Sequence, residues 1–111
     1  MERLEFLQGT LEILILRTLL FGPRHGYAIA QYIRETSDDA LTVEAGSLYP
    51  ALQRMELQKL ITAKWEISET HRKARFYQLT PAGRKRLEVS ISRWDDFVRA
   101  MSLVLQPVKG E

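Results

Sequence analysis

Residues 61–79 read ITAKWEISETHRKARFYQL, and their periodicity decides the fold. Ile61, Ala63, Trp65 and Ile67 alternate with Thr62, Lys64, Glu66 and Ser68. A polar run from Glu69 to Lys73 follows, then a second alternation through Ala74, Arg75, Phe76, Tyr77, Gln78 and Leu79. Period-2 patterning on both sides of a polar loop predicts a β-hairpin, here with a basic tip that carries Arg72 and Lys73.

On either side of the hairpin the period becomes that of a helix. Upstream, Leu48, Leu52, Met55 and Leu60 recur at about 3.6 residues and predict a helix from Ser47 to about Lys59. Ser47 reads as its N-cap, with Pro50 in the first turn, where a missing amide hydrogen costs nothing. Ser47, Ala51, Arg54 and Gln58 then form an exposed stripe, bordered by Gln53. Two more helices precede it. One runs from about Thr10, its expected N-cap, to Leu20; the other runs from Gly26 to Thr36, with an apolar face of Tyr27, Ile29, Ala30 and Ile33. The first is apolar on most faces, through Leu11, Ile13, Leu14, Ile15, Leu16, Leu19 and Leu20. Such a helix in so small a chain predicts contact with a second subunit as well as the core.

Downstream, Thr80-Pro81 is an N-cap followed by proline at the first helical position, and the helix can run to Leu105. Leu87, Ile91, Trp94, Val98, Met101 and Leu105 step by 4, 3, 4, 3 and 4, a coiled-coil-like seam that Phe97 widens. The expected class is therefore mainly α with a small β-hairpin. It is a winged helix-turn-helix over residues 1–79 followed by a long C-terminal dimerisation helix over residues 80–111.

Composition narrows the chemistry. The 111 residues fit one domain, and 45% apolar residues suffice for a core and an oligomer interface. There is no cysteine, which removes disulfides, thiolate metal sites and cysteine nucleophiles together. His25 and His71 lie far apart in the chain, so no metal or other cofactor is expected. The longest apolar run, Ile13 to Leu16, is far short of a membrane span, and residues 1–5 carry no signal-peptide pattern; a cytoplasmic protein is expected. The net charge of +2 is unevenly spread: residues 61–86 hold seven basic and two acidic groups, a local +5. A concentrated basic patch points to a polyanion more strongly than the total does.

Together these features fit duplex DNA. A helix enters the major groove, and small residues near its start let the backbone approach. Ser47 and Pro50 open that helix. Arg54 can donate two hydrogen bonds to a guanine edge, and Gln53 or Gln58 can read adenine. Arg72 and Lys73 at the hairpin tip can reach phosphates or the minor groove. Each has a plainer reading. Arg54 can pair with an acid such as Glu44, and Arg75 with Glu66; Arg84-Lys85-Arg86 can be a solvated face; His25 suits a turn or cap.

Four stretches carry a resemblance: Gly9-Thr10-Leu11 with the apolar helix after it, Gly26-Tyr27, Ser47-Leu48-Tyr49-Pro50-Ala51-Leu52, and Phe76-Tyr77-Gln78-Leu79-Thr80-Pro81-Ala82-Gly83. In this order, across residues 9–83, they resemble the PadR family of bacterial transcriptional regulators, in its short form with a single C-terminal helix. The resemblance implies a homodimeric repressor reading a pseudo-palindromic operator. It implies a dimer interface from the first and last helices, hence Leu11, Leu14, Ile91, Trp94, Val98, Met101 and Leu105. It places Tyr49 on DNA and assigns Arg72 to the basic wing tip. Lys59 stands where the family usually has glycine, and the wing has no glycine either. Because some short members bind flat compounds between subunits, Trp94 is both an expected packing residue and a candidate wall for a planar apolar effector. Release by such a ligand or by a stress signal is the expected regulation.

Two other functions compete. A winged helix can serve as a protein-interaction module without reading DNA. An enzyme is not expected, because no nucleophile–base pair, metal set or glycine-rich phosphate loop is present.

Overall fold

The computed structural model describes residues 9–108, so residues 1–5, read above against a signal peptide, lie outside the described residues. Helix α1 spans Thr10–Leu19, α2 Gly26–Thr36, α3 Ala45–Leu57 and α4 Pro81–Val104. Strands β1 (Arg24–His25), β2 (Ile61–Ile67) and β3 (Lys73–Leu79) form an antiparallel sheet in the order β1-β3-β2. The hairpin is therefore the larger part of a three-stranded sheet. The extra strand pairs Arg24 with Tyr77 and His25 with Phe76. At two residues it is too short to show any period in sequence.

The core is built from one face of each element. Ile15, Leu16 and Leu19 of α1 meet Ile29 and Ile33 of α2, Leu48, Leu52 and Met55 of α3, and Ile61, Tyr77 and Leu87 beyond. Leu11, Ile13, Leu14 and Leu20 are half-buried against this cluster, so most of α1's apolar surface is covered within the chain itself.

The four helix starts differ in kind. Thr80 caps α4 as expected, its Oγ1 accepting from the Gly83 amide at 3.0 Å with Pro81 behind it. His25 caps α2, its Nδ1 accepting from the Ala28 amide at 3.2 Å. Thr10 does not cap α1: Gly9 holds that position with φ 84°, and Thr10 is the first helical residue. Nor does Ser47 cap α3. The helix begins two residues earlier, with Glu44 at the cap position, and the amides of Ser47 and Leu48 both donate to the Glu44 carbonyl at 3.0 and 2.9 Å. Ala45 and Gly46 are small enough to extend the first turn. Pro50 consequently sits in the second turn, where its ring removes the amide that would have bonded to the Gly46 carbonyl.

The end of α3 explains Lys59. The Leu60 amide donates to the Met55 carbonyl and the Lys59 amide to the Glu56 carbonyl, both at 3.0 Å. This is the double hydrogen bond of a Schellman motif, which needs a left-handed residue between. Lys59 supplies it with φ 62°, so the turn that favours glycine is kept with a lysine in it. Leu60 leaves the helix here but stays buried.

Leu60 is then tied to α4. The Leu60 carbonyl accepts from the Thr80 amide at 3.1 Å and from Thr80 Oγ1 at 2.9 Å; the same hydroxyl lies 2.8 Å from the Lys59 carbonyl. Gly83 packs against this carbonyl so closely that a Cβ there would lie 2.1 Å from it. The turn that leaves α3 and the cap of α4 are thus bound to each other directly.

Candidate nucleic-acid interface

The outer face of α3 carries Ser47, Tyr49, Pro50, Gln53 and Arg54, all exposed; Gln58, its C-cap, is exposed too but lines the groove between the starts of α1 and α4. Ala51, expected on this stripe, is buried. It lies three residues after Leu48 and four before Met55, on the core side of the helix. Leu57 takes a place on the outer face instead, 77% exposed and within one turn of Arg54 and Gln58. It is off the inward repeat of Leu48, Leu52 and Met55, which was the sequence signal for it. A bare leucine there can meet a thymine methyl, the apolar feature of the major groove.

The hairpin β2–β3 stands beside α3. Its tip closes through Ser68: the Ser68 amide donates to the Arg72 carbonyl at 2.7 Å, the His71 amide donates to the Ser68 carbonyl at 2.9 Å, and the Ser68 and Thr70 hydroxyls lie 3.0 Å apart. His71 takes the left-handed conformation, φ 61°, in place of the missing glycine. Arg72 is exposed on this turn. Lys73 is the first residue of β3 rather than part of the loop, and its Nζ lies 5.8 Å from the Trp65 ring centroid.

Arg75 does not pair with Glu66. Its Nη2 lies 2.6 Å from Oε2 of Glu56 on α3, while Glu66 takes Lys64 at 3.0 Å. A strand pair at Glu66↔Ala74 puts Glu66 and Arg75 on opposite faces of the ladder, whereas Arg75, opposite Trp65, faces α3. Among the described residues, no ion pair engages Arg54, Arg72 or Lys73 with a carboxylate. Of the Arg84-Lys85-Arg86 run, Arg86 bonds Glu12 of α1 at 3.2 Å.

Tyr49 leans on α2. A Cβ at Gly26 would lie 2.7 Å from the Tyr49 hydroxyl and 2.9 Å from its ring, so glycine there leaves room for the phenol to lie against the start of α2. Tyr27, expected to face the core, is 69% exposed beside them. Trp65 and Ile67 share a face with buried Ile61, but the hairpin outruns the core and leaves them 60% and 66% exposed. Buried Tyr77 on the same face, its phenol pushed above the usual range by burial, marks where the core ends.

On α4, Leu87 is buried and Ile91 half-buried, while Trp94, Phe97, Val98, Met101 and Leu105 are exposed. Trp94 and Phe97 pair with ring centroids 6.1 Å apart. They wall an open groove between α1 and α4 of about 1200 Å³, which Ile13, Leu60 and Val89 also line. No helix among the described residues is long and apolar enough to cross a membrane. No group of histidine and acidic side chains suited to a metal ion occurs among them.

Residues 15–89 match the family model described as the transcriptional regulator PadR-like family. The fold is similar to that of a transcriptional regulator from Clostridium thermocellum, with TM-score 0.82 and 25% identity, covering 89% of this chain and 96% of that one. It is also similar to a PadR family transcription regulator from Clostridium difficile, with TM-score 0.75 and 31% identity, covering 87% of this chain and 99% of the other. A protein X of Lysinibacillus sphaericus is 26% identical over 106 residues, 96% of this chain and 97% of its own length.

Proposed function

The chain belongs to the PadR-like family of transcriptional regulators, and from that premise we propose that it is a homodimeric, cytoplasmic repressor of a pseudo-palindromic duplex operator, released by a ligand or a stress signal. The observation that carries the reading is the outer face of α3. Five polar, small or ring side chains, Ser47, Tyr49, Pro50, Gln53 and Arg54, are exposed there beside a basic wing, and its arginine has no carboxylate to answer to among the described residues.

In this reading residues 1–79 hold DNA and residues 80–111 hold the partner. Arg54 reads a guanine edge, and Gln53 and Gln58 read neighbouring bases. Ser47, Tyr49 and Pro50 let the start of α3 sit close to the backbone, and Arg72 and Lys73 bind phosphates. The exposed ridge Trp94, Val98, Met101 and Leu105, continued by Ile91 and by Leu11 and Leu14 of α1, is the seam to a second copy. A two-fold axis there sets two recognition helices about one DNA turn apart. Trp94, on the groove beside α1, is the wall offered to a flat apolar effector.

Selection from a random duplex pool near physiological salt tests this. Enrichment of one inverted repeat, with a dimeric mass at micromolar concentration, is expected. Affinity should fall steeply with salt, with a slope near −0.9 per phosphate neutralised. Failure to enrich any duplex, with salt-insensitive binding to a protein partner, would favour the interaction-module alternative. A monomeric mass would remove the two-fold reading.

A further inference from the structure

The apolar face of the hairpin continues past the core, where no other element among the described residues packs on it. Trp65 and Ile67 end that face, and both are more than half exposed. Their cross-strand partners are Arg75 and Lys73. Lys73 stands over the indole at 5.8 Å, and Arg75 is held by Glu56 of α3 at 2.6 Å. That ion pair braces the hairpin against α3. Beside this brace, a groove of about 720 Å³ lies between the hairpin and the start of α2, with Gly26, Tyr27, Gln31 and Tyr49 on one wall and Trp65, Arg72, Lys73 and Arg75 on the other. Glu69 is the single carboxylate among its lining residues.

Charge and ring content together select the occupant. With Arg75 answered by Glu56, Arg72 and Lys73 against the one carboxylate of Glu69 still favour a polyanion, and an indole with an N–H edge suits a surface that is apolar and wet at once. A deoxyribose between two phosphates is such a surface. We propose that one strand of the bound duplex runs through this groove, its sugar packed on the Trp65 indole and its flanking phosphates on Arg72 and Lys73. The wing then holds DNA by its face as well as by its tip. This rests on the DNA-binding reading above and adds Trp65 as an anchor and Arg75 as the residue that positions the wing.

Fluorine NMR of protein labelled with 5-fluorotryptophan tests it. The chain has two tryptophans, Trp65 and Trp94, and the Trp65→Phe spectrum assigns their resonances. On saturation with the selected duplex, the Trp65 resonance should move and lose its H2O/D2O isotope shift. Trp65→Ala should weaken selected and random duplexes alike by about tenfold, the effect of losing part of a buried ring, with an unchanged salt slope. Lys73→Ala should lower the slope by about one phosphate. A thermal melt of Trp65→Ala matching the parent shows that the fold is intact. Saturated binding by anisotropy with an unmoved Trp65 resonance and parental affinity for Trp65→Ala would overturn the proposal and leave the functional reading standing. A Trp65 resonance that moves with protein concentration alone places a second copy on this face and also overturns it. If the parent protein binds no duplex at all, the functional reading falls first.

Discussion

Replacing Gly83 by alanine attacks the junction between Leu60, just past α3, and the first turn of α4. The new Cβ would stand 2.1 Å from the Leu60 carbonyl oxygen and 2.8 Å from Leu79 Cδ1. An ordinary carbon–oxygen contact is about 3.3 Å or more, so backbone must move by roughly 1 Å. The atoms that would move hold the Thr80 amide and hydroxyl bonds to Leu60, at 3.1 and 2.9 Å. Stretching them out of range costs about 1 kcal/mol each, and residual overpacking adds about 1–3 kcal/mol. Alanine's better helix propensity returns about 1 kcal/mol. The net expectation is a loss of about 2–4 kcal/mol, or roughly 10–20 °C in Tm at the scale of a 100-residue domain. Gly46→Ala is the control. Its Cβ meets nothing within 4 Å in the first turn of α3, so it should leave stability unchanged or raise it by up to about 1 kcal/mol. Urea and thermal melts followed by circular dichroism, at matched protein concentrations because assembly shifts both, give the comparison. Equal stability of the two variants would refute the close-approach reasoning.

Lys59→Gly should stabilise the protein by about 0.5–1 kcal/mol in the same melts, because glycine removes the left-handed strain at φ 62°; a loss of stability would show that the lysine side chain contributes to the fold. Arg54→Ala should narrow the affinity gap between selected and random duplex by about 1–3 kcal/mol, while Arg72→Ala should weaken both alike; equal losses for Arg54→Ala would contradict a base-reading role. Burial raises the pKa of Tyr77 above its ordinary 10 in the fold. The folded state thus holds the proton more tightly, and this contribution is complete below pH 10 and lost as pH rises through the raised value. Tyr77→Phe should therefore lose less stability than the parent above pH 10, measured by urea titration.

The parts of the fold that repeat were legible in sequence. The period-2 runs gave β2 and β3, the 3.6 period gave the inward face of α3, and Thr80-Pro81 placed the start of α4 to the residue. What was missed depends on contacts between elements. β1 exists because β3 offers it an edge, not because two residues carry a pattern. The first turn of α3 was lost because Ser47 is a good cap in isolation, while Ala45-Gly46 extend the helix without one. Trp65, Ile67 and Tyr27 look like core residues until the size of the core is known. Their exposure marks the groove, which periodicity alone could not show. Lys59 was the reverse case: the departure from glycine was visible, and the structure keeps the turn regardless.

The junction of Leu60, Thr80 and Gly83 also has a mechanical consequence. It works as a hinge without play. Helix α4 has 24 residues, so it is a lever about 36 Å long at 1.5 Å per residue. A 10° swing carries its far end by about 6 Å. The near end is bonded to Lys59 and Leu60, where the chain turns out of α3, and the helix body packs on α1. In the proposed dimer the spacing of the operator half-sites is set at the far end of the lever, some distance from any atom that touches DNA.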